Sequence, residues 1–221
     1  MSVYSMVAFF QKGGLFMYPI LIVFVTGMAI TVERWFRLNR IQGMNRKMWN
    51  LLQPVLVKGD FDKARAIIKK DKSTISQMLG MGLARLGAVR RREDIEIAME
   101  ESMMEIIPQL EKRTPYVALL SNIATLLGLL GTIMGLIEAF TAVANANPAE
   151  KADLLSASIS VAMNTTAFGL MSAIPLLLFH AKLTSTTGQI VDSLEMASVK
   201  ALNSISNFNR RHFEAKSEFS D

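Results

Sequence analysis

Two long stretches of this sequence carry no side chain that is charged at neutral pH, and they constrain the fold more than any other feature. They cover residues 114–137 and 154–181. At about 1.5 Å per residue, a helix of either length can cross a hydrocarbon core of roughly 30 Å. A third apolar block, residues 13–32, is also long enough. The sequence therefore predicts three membrane-spanning helices.

The distribution of charge predicts the orientation of these spans. Most of the 24 Lys and Arg residues lie between the first two blocks or after the third, and the exceptions are Lys12 and Lys151. By the positive-inside rule, basic loops face the cytoplasm. The predicted segments are a periplasmic N-terminus at 1–12, a first span at 13–33, a cytoplasmic helical region at 34–113, a second span at 114–144, a periplasmic loop at 145–153, a third span at 154–181 and a cytoplasmic C-terminal helix at 182–221.

The first block does not read as a cleavable signal peptide. A single basic residue, Lys12, precedes it, no small-residue cleavage site follows, and the block ends in the charged and aromatic residues 33–37. We expect it to remain as a span.

The region between the first two spans reads as helical. Residues 59–62, Gly-Asp-Phe-Asp, open a short helix through Lys69, with Asp60 or Asp62 as the N-cap, and a second helix runs from about Ser73 to Leu86. An amphipathic helix from Glu93 leads toward the second span, and Pro108 and Pro115 are expected to kink or restart it.

The C-terminal region carries an apolar stripe at spacings of three and four residues, typical of a coiled coil. Its members are Leu183, Thr187, Ile190, Leu194, Ala197, Ala201, Ile205 and Phe208. Such a stripe must be buried against other cytoplasmic helices or against neighbouring copies. With no β-rich segment in the sequence, the predicted fold is an all-α membrane protein with three transmembrane helices and long cytoplasmic helical extensions.

Composition argues against several classes of function. The formal net charge is +5, but the basic run Arg90, Arg91 and Arg92 is followed by acidic residues, which is typical of a solvated helix start rather than a nucleic-acid patch. The chain has no cysteine. The sequence shows no metal cluster, no nucleophile with a base and no phosphate-binding glycine loop. We therefore expect neither an enzyme nor a bound cofactor.

The second span combines glycines with a threonine. Gly131 and Gly135 form a small-xxx-small pattern, and Gly128 lies one turn earlier, so these residues are expected to permit close helix packing. Thr132 lies between them, where its hydroxyl either bonds its own backbone or faces a shared lumen. Glu138 marks the outer end of this span, and is either a solvated carboxylate or an entry point for cations.

The third span is more polar than an anchor requires. Asn164, Thr165 and Thr166 lie near its middle, and the Asn164 amide is expected to face protein or water because lipid cannot satisfy it. Pro175 is expected to bend the helix and free a carbonyl near position 171. Counted from Leu154, Thr165 and Thr166 lie about 17 Å deep, and counted from Glu138, Thr132 lies about 9 Å deep, so the hydroxyls are predicted to form two levels.

Two runs of sequence resemble one family. Residues 128–135, Gly-Leu-Leu-Gly-Thr-Ile-Met-Gly, and residues 159–170, Ile-Ser-Val-Ala-Met-Asn-Thr-Thr-Ala-Phe-Gly-Leu, followed by Ala173-Ile-Pro175, resemble the MotA/TolQ/ExbB family. The likeness is closest to ExbB and TolQ, and covers nearly the whole chain. By this resemblance Gly169 joins the helix-packing glycines.

The resemblance implies a function and partners. It implies a bacterial inner-membrane homopentamer that encloses two single-span helices of an ExbD- or TolR-like protein, with a TonB-like protein as a further candidate partner. Ion flow past an aspartate of the partner would drive the motor, and the positions matching Thr132 and Thr166 would line the path. The work would serve the cell envelope, for example TonB-dependent outer-membrane transport.

The identity of the ion stays open between H+ and Na+. Val161 stands where ExbB-like proteins usually carry a glutamate, which leaves the third span without a carboxylate. A proton can still move through water, whereas Na+ needs several oxygen ligands, which Thr132, Thr165, Thr166 and backbone carbonyls can supply. The alternatives from other classes are a cation channel that needs no partner and a membrane scaffold that moves no ion.

Overall fold

A computed structural model of the chain describes residues 14–86 and 92–218. The predicted N-terminal segment 1–12, Gly13, Arg90, Arg91 and the last three residues lie outside this range. The described part contains α-helices and no β-strand, which confirms the all-helical prediction. The helices are α1 (Met17–Val57), α2 (Phe61–Ile68), α3 (Thr74–Arg85), α4 (Arg92–Glu111), α5 (Thr114–Asn145) and α6 (Lys151–Glu218).

Three helical segments are long and apolar enough to cross a membrane. They are Met17–Val57, Arg92–Ala144 and Lys151–Phe208, with mean hydropathies of 1.5, 1.9 and 1.6 in their most apolar windows. A span needs about 20 residues, so each segment exceeds this length. By length and composition, these segments confirm three candidate membrane-spanning helices. The exact span limits stay predictions.

The boundary between α4 and α5 has a clear local cause. Arg113 adopts a left-handed backbone conformation with φ of 68°, which a helix interior does not accept. Pro115 then lies in the first turn of α5, where its missing N–H costs nothing. The expected restart at Pro115 is therefore confirmed, while Pro108 lies inside α4 and does not end it.

The described chain divides into two compact units. The first comprises residues up to Arg34 together with Arg113–Leu183. Its core joins all three apolar helices through Ile20, Ala124 and Ala173, with Val23, Leu127 and Phe168 packed around them. Many other large apolar side chains of this unit are exposed, among them Leu126, Leu129, Ile133 and Ile137. Such an outer surface suits lipid or neighbouring membrane helices.

The second unit comprises Trp35–Lys112 and the chain from Thr184 onward. Asp60 caps α2 by accepting from the Lys63 N–H at 3.1 Å, so Asp60 and not Asp62 is the N-cap. Ser73 caps α3 in the same manner, by accepting from the Ser76 N–H. Arg65 donates to the carbonyls of Leu83 and Leu86, which ties α2 to the end of α3. Both short helices follow the predicted limits within a residue.

The apolar stripe of the C-terminal region is buried within the chain. Leu183, Thr187, Ile190, Leu194, Ala197, Ala201 and Ile205 are each no more than 5% exposed. The last member, Phe208, packs edge-to-face against Phe61, with ring centroids 5.2 Å apart. A side chain at Gly59, whose φ is 77°, would collide with Phe208. Glycine there permits both the left-handed turn before α2 and this aromatic contact.

Candidate functional site

Helices α5 and α6 approach each other closely because their contact residues lack bulky side chains. A Cβ added to Gly169 would lie 2.8 Å from the Ala124 carbonyl oxygen and 2.9 Å from the Gly128 Cα. These are contacts between backbones. One turn later, a Cβ on Gly131 would collide with Thr165, and one on Gly135 would lie 2.8 Å from the Ala162 Cβ. The four glycines predicted to pack helices therefore all lie on this contact.

The close approach brings two predicted site residues together. The hydroxyls of Thr132 and Thr166 are hydrogen-bonded to each other across the two helices. Both also reach the carbonyl oxygen of Gly128, from Thr132 Oγ1 at 3.2 Å and from Thr166 Oγ1 at 2.9 Å. We call these three oxygens the threonine cluster. Both threonines are partly buried.

A count of hydroxyl protons indicates which kind of ligand the threonine cluster suits. It holds two hydroxyl protons and three contacts, and the Gly128 carbonyl can only accept, so at most two of the contacts are hydrogen bonds at one time. When each hydroxyl donates within the cluster, the oxygens present lone pairs outward, which suits a cation or a hydrogen-bond donor and not an anion.

Thr165 and Asn164 are next to this cluster in sequence but not part of it. Thr165 is 2% exposed, and its hydroxyl donates to the Val161 carbonyl at 3.0 Å, as threonines do when they bond their own helix. Asn164 lies two residues before Thr166, about 200° around the helix, so it faces nearly the opposite side and is half-buried. The structure unites Thr132 with Thr166 and separates Asn164 from them.

The prediction of two hydroxyl levels is wrong for Thr132 and Thr166, because their hydroxyls touch. The error came from counting the depth of Thr132 from Glu138, the first charged residue after Arg113, although the predicted second span runs to residue 144. Helix α5 continues to Asn145, and α6 begins at Lys151. Counted from those ends, Thr132 lies about 20 Å and Thr166 about 22 Å along its helix, which is one level.

The other predicted positions lie outside the cluster. Glu138 is exposed on α5 beyond Thr132, as expected for either of its roles. Pro175 lies inside α6, which continues past it. Val161 lies next to Gly14, since a Cβ added to Gly14 would be 3.2 Å from the Val161 Cγ1.

The structure adds features that the sequence did not reveal. The Ser121 hydroxyl, fully buried, donates to the Ala173 carbonyl at 2.8 Å and forms a further hydrogen bond between α5 and α6. A lone serine in an apolar span was the only available signal. The carbonyl of Gly128 has no sequence signature at all. Arg34, which directly follows the first apolar block, has 0% exposure.

Metal-binding side chains do not converge in the part of the chain that the structure describes. No group of three or more His, Cys, Asp or Glu residues there could hold a metal ion. Any cation at the threonine cluster would bind to hydroxyl and carbonyl oxygens instead.

Comparison with known proteins gives one family and several relatives. Residues 70–196 match the model of the MotA/TolQ/ExbB proton channel family. A putative biopolymer transport protein ExbB homolog of Methanothermobacter thermautotrophicus is 26% identical over 85% of this chain and 66% of its own length. A putative biopolymer transport protein ExbB-like 1 of Synechocystis sp. is 28% identical over 83% of this chain and 72% of its length. The Tol-Pal system protein TolQ of Haemophilus influenzae is 34% identical over 39% of this chain and 37% of its length.

Proposed function

Because this chain belongs to the MotA/TolQ/ExbB proton channel family, we propose that it is the membrane subunit of a cation-driven motor. In this proposal it forms a homopentamer in the bacterial inner membrane and converts ion motive force into mechanical work on the cell envelope. It acts as transport machinery and not as an enzyme. Three apolar helices fit a multi-pass membrane protein of this kind.

The observation that carries the proposal is the threonine cluster. Polar groups within a membrane helix are costly unless they have partners or a function. Here the hydroxyls of Thr132 and Thr166 meet beside the Gly128 carbonyl. A cation passing at this level would find oxygen atoms to replace part of its hydration shell.

The proposed partner is a single-span protein of the ExbD or TolR type that carries an aspartate within the membrane. The relatives named for biopolymer transport and for the Tol-Pal system support such an assignment. A TonB-like protein is a further partner if the work drives outer-membrane transport. The N-terminus would then lie in the periplasm and the C-terminus in the cytoplasm.

The proposed ion is H+ or Na+, and no cofactor is needed. The family description favours the proton. The oxygen ligands of Thr132, Thr166 and Gly128, with Val161 in place of a carboxylate, make Na+ chemically reasonable. Thr165 and Asn164 would act in the same path only if their side chains turn toward it, and Glu138 would collect cations at its entrance.

Two rival functions make different predictions. A cation channel that needs no partner would conduct as a pure homo-oligomer. A membrane scaffold would assemble and move no ion. Native mass measurement of the complex purified from its own membrane separates these from the motor, since the motor predicts five copies of this chain with two copies of a single-span protein.

The role of the cluster is tested by exchanging Thr166. Thr166→Val keeps the shape and removes the oxygen, whereas Thr166→Ser keeps the oxygen. In cells that depend on this chain for envelope transport, we expect Thr166→Val to lose most of the transport activity and Thr166→Ser to keep most of it. Native mass of each variant controls for assembly. Wild-type activity with valine, in an intact assembly, would contradict the site.

A further inference from the structure

Helix α1 carries an exposed basic stripe in the second unit. Arg40, Gly43, Lys47, Leu51 and Pro54 are all exposed, and they recur at spacings of three and four residues, so they share one helix face. We call them the basic stripe. Leu51, at 59% exposure, adds a large apolar side chain to this face. Residues 35–57 contain basic side chains and no acidic one.

Helix α4 carries an exposed stripe of the opposite charge. Glu93, Ile97, Glu100, Met104, Pro108 and Glu111 are exposed and follow the same spacing, and we call them the acidic stripe. Ile97 and Met104 within it are 51% and 71% exposed. The remainder of α4 is also acidic, with Arg92 as its single basic residue. Each stripe therefore combines large apolar side chains with charge of one sign.

Neither stripe is neutralised within the described part of the chain. There, Arg40, Lys47, Glu93 and Glu100 take part in no ion pair. Glu101, which lies beside the acidic stripe, pairs with Arg85 at 3.9 Å. Charged faces with apolar side chains between them are typical of helices that pair with a partner helix.

The two stripes match in antiparallel register when Lys47 is placed opposite Glu100. Gly43 then lies opposite Met104, about 6 Å along each helix in one direction. Leu51 lies opposite Ile97, about 6 and 4.5 Å along their helices in the other direction.

The surroundings of Gly43 are compatible with this register. Among the described residues, a Cβ on Gly43 would meet no atom within 4 Å, so Gly43 leaves room for a methionine from another molecule.

We propose that the basic stripe of one copy docks on the acidic stripe of the next copy. The two surfaces differ, so the contact is head-to-tail and generates a ring when its rotation closes. The occupant is a second copy of this chain because each stripe finds its complement in charge, spacing and register on the same sequence. This contact rests on the assembly part of the proposed function and not on ion transport.

Disulfide trapping tests the contact, and the absence of cysteine from the chain makes every cross-link attributable. Two full-length chains with different tags, one with Lys47→Cys and one with Glu100→Cys, are co-expressed and oxidised in their native membranes. A disulfide forms when Cα atoms lie about 4.4–6.8 Å apart. We expect a dimer that carries both tags, and no dimer from either single variant alone. Placing both cysteines on one chain should give a ladder of covalent multimers.

A matched pair off the stripes provides the control. Arg46→Cys and Glu105→Cys replace the same kinds of residue on the same helices, both exposed, but on other faces. This pair should cross-link at least several-fold less. Equal cross-linking of the two pairs, or none for Lys47 with Glu100 in an intact oligomer, would overturn the contact. A monomer by native mass would instead refute the assembly itself.

Charge exchange provides a second readout. Lys47→Glu and Glu100→Lys should each lower the oligomer fraction several-fold at low salt, and the double exchange should restore it. If Lys47→Glu instead lowers only binding to vesicles that contain anionic lipid, and the double exchange restores nothing, the basic stripe binds lipid and the proposal fails.

Discussion

At the residue scale, the threonine cluster depends on two hydroxyls and one backbone carbonyl that α5 and α6 bring together. Removing one hydroxyl leaves the other two oxygens with fewer partners in a site where water is scarce. An unmet buried hydrogen-bonding group costs about 1–3 kcal/mol. Thr132→Val should therefore reduce envelope transport in cells, as Thr166→Val does, because the two hydroxyls contact each other.

The helix contact beneath this cluster gives a stability prediction. Gly169→Ala places a methyl group 2.8 Å from the Ala124 carbonyl oxygen, so the backbones must separate. Such overpacking costs about 1–3 kcal/mol, and we expect a lower melting temperature for the purified protein in detergent.

Gly188→Ala on the same helix is the matched control. A Cβ there meets nothing within 4 Å. Removing a mid-helix glycine should leave stability unchanged or raise it by up to about 1 kcal/mol. Equal melting temperatures for the two variants would show that α5 and α6 are not in backbone contact.

Asp71 gives a prediction about pH outside the membrane spans. Burial, the largest single influence, would raise the pKa of its carboxyl, but hydrogen bonds from Ser73, Ser76 and the Lys72 N–H together outweigh burial and lower the pKa. A carboxyl with a lowered folded-state pKa stabilises the fold above its unfolded-state pKa, and this contribution is lost as pH falls through the folded value.

Asp71→Asn should therefore lower the melting temperature at neutral pH. The melting temperature of this variant should then fall less as the pH is lowered. Ser76→Ala removes one of the hydroxyl donors and should move the acid transition to higher pH, because it raises the pKa of Asp71. Melting temperatures measured from pH 7 down to about pH 3 check both. An unchanged acid profile in Asp71→Asn would rule out this carboxyl as a source of the pH dependence.

At the scale of helices, the sequence predicted what local chemistry determines. Asp60 and Ser73 have capping side chains, and Pro115 suits a first turn, so these helix starts were placed correctly. The buried stripe of α6 followed from its spacing. Each of these features depends on residues close together in the chain.

Features that depend on contacts between helices could not be predicted. The level of Thr132 was wrong because its depth was counted from the first charge, Glu138, while the helix continues to Asn145. The part played by the Gly128 carbonyl was missed because a backbone atom belongs to every residue type. The burial of Arg34 likewise depends on what packs around it, which no single helix specifies.

At the scale of the whole molecule, we propose that this member of the MotA/TolQ/ExbB family uses an ion gradient to do work. One elementary charge that crosses 100 mV releases about 2.3 kcal/mol, so a few ions can drive a conformational step. The membrane unit supplies the threonine cluster, and the second unit supplies the two stripes that we propose to join neighbouring copies. Assembly and ion passage are therefore separable, and variants can affect one without the other.

The central claim is that cations pass the threonine cluster, and flux through the complex tests it most directly. The complex with its single-span partner is placed in vesicles, a membrane potential is imposed, and H+ and Na+ entry are recorded separately. The account predicts flux of one of these ions with the wild type and with Thr166→Ser, and its loss with Thr166→Val in an intact assembly. Equal flux through the valine variant, or no flux of either ion through the wild-type complex, would contradict it.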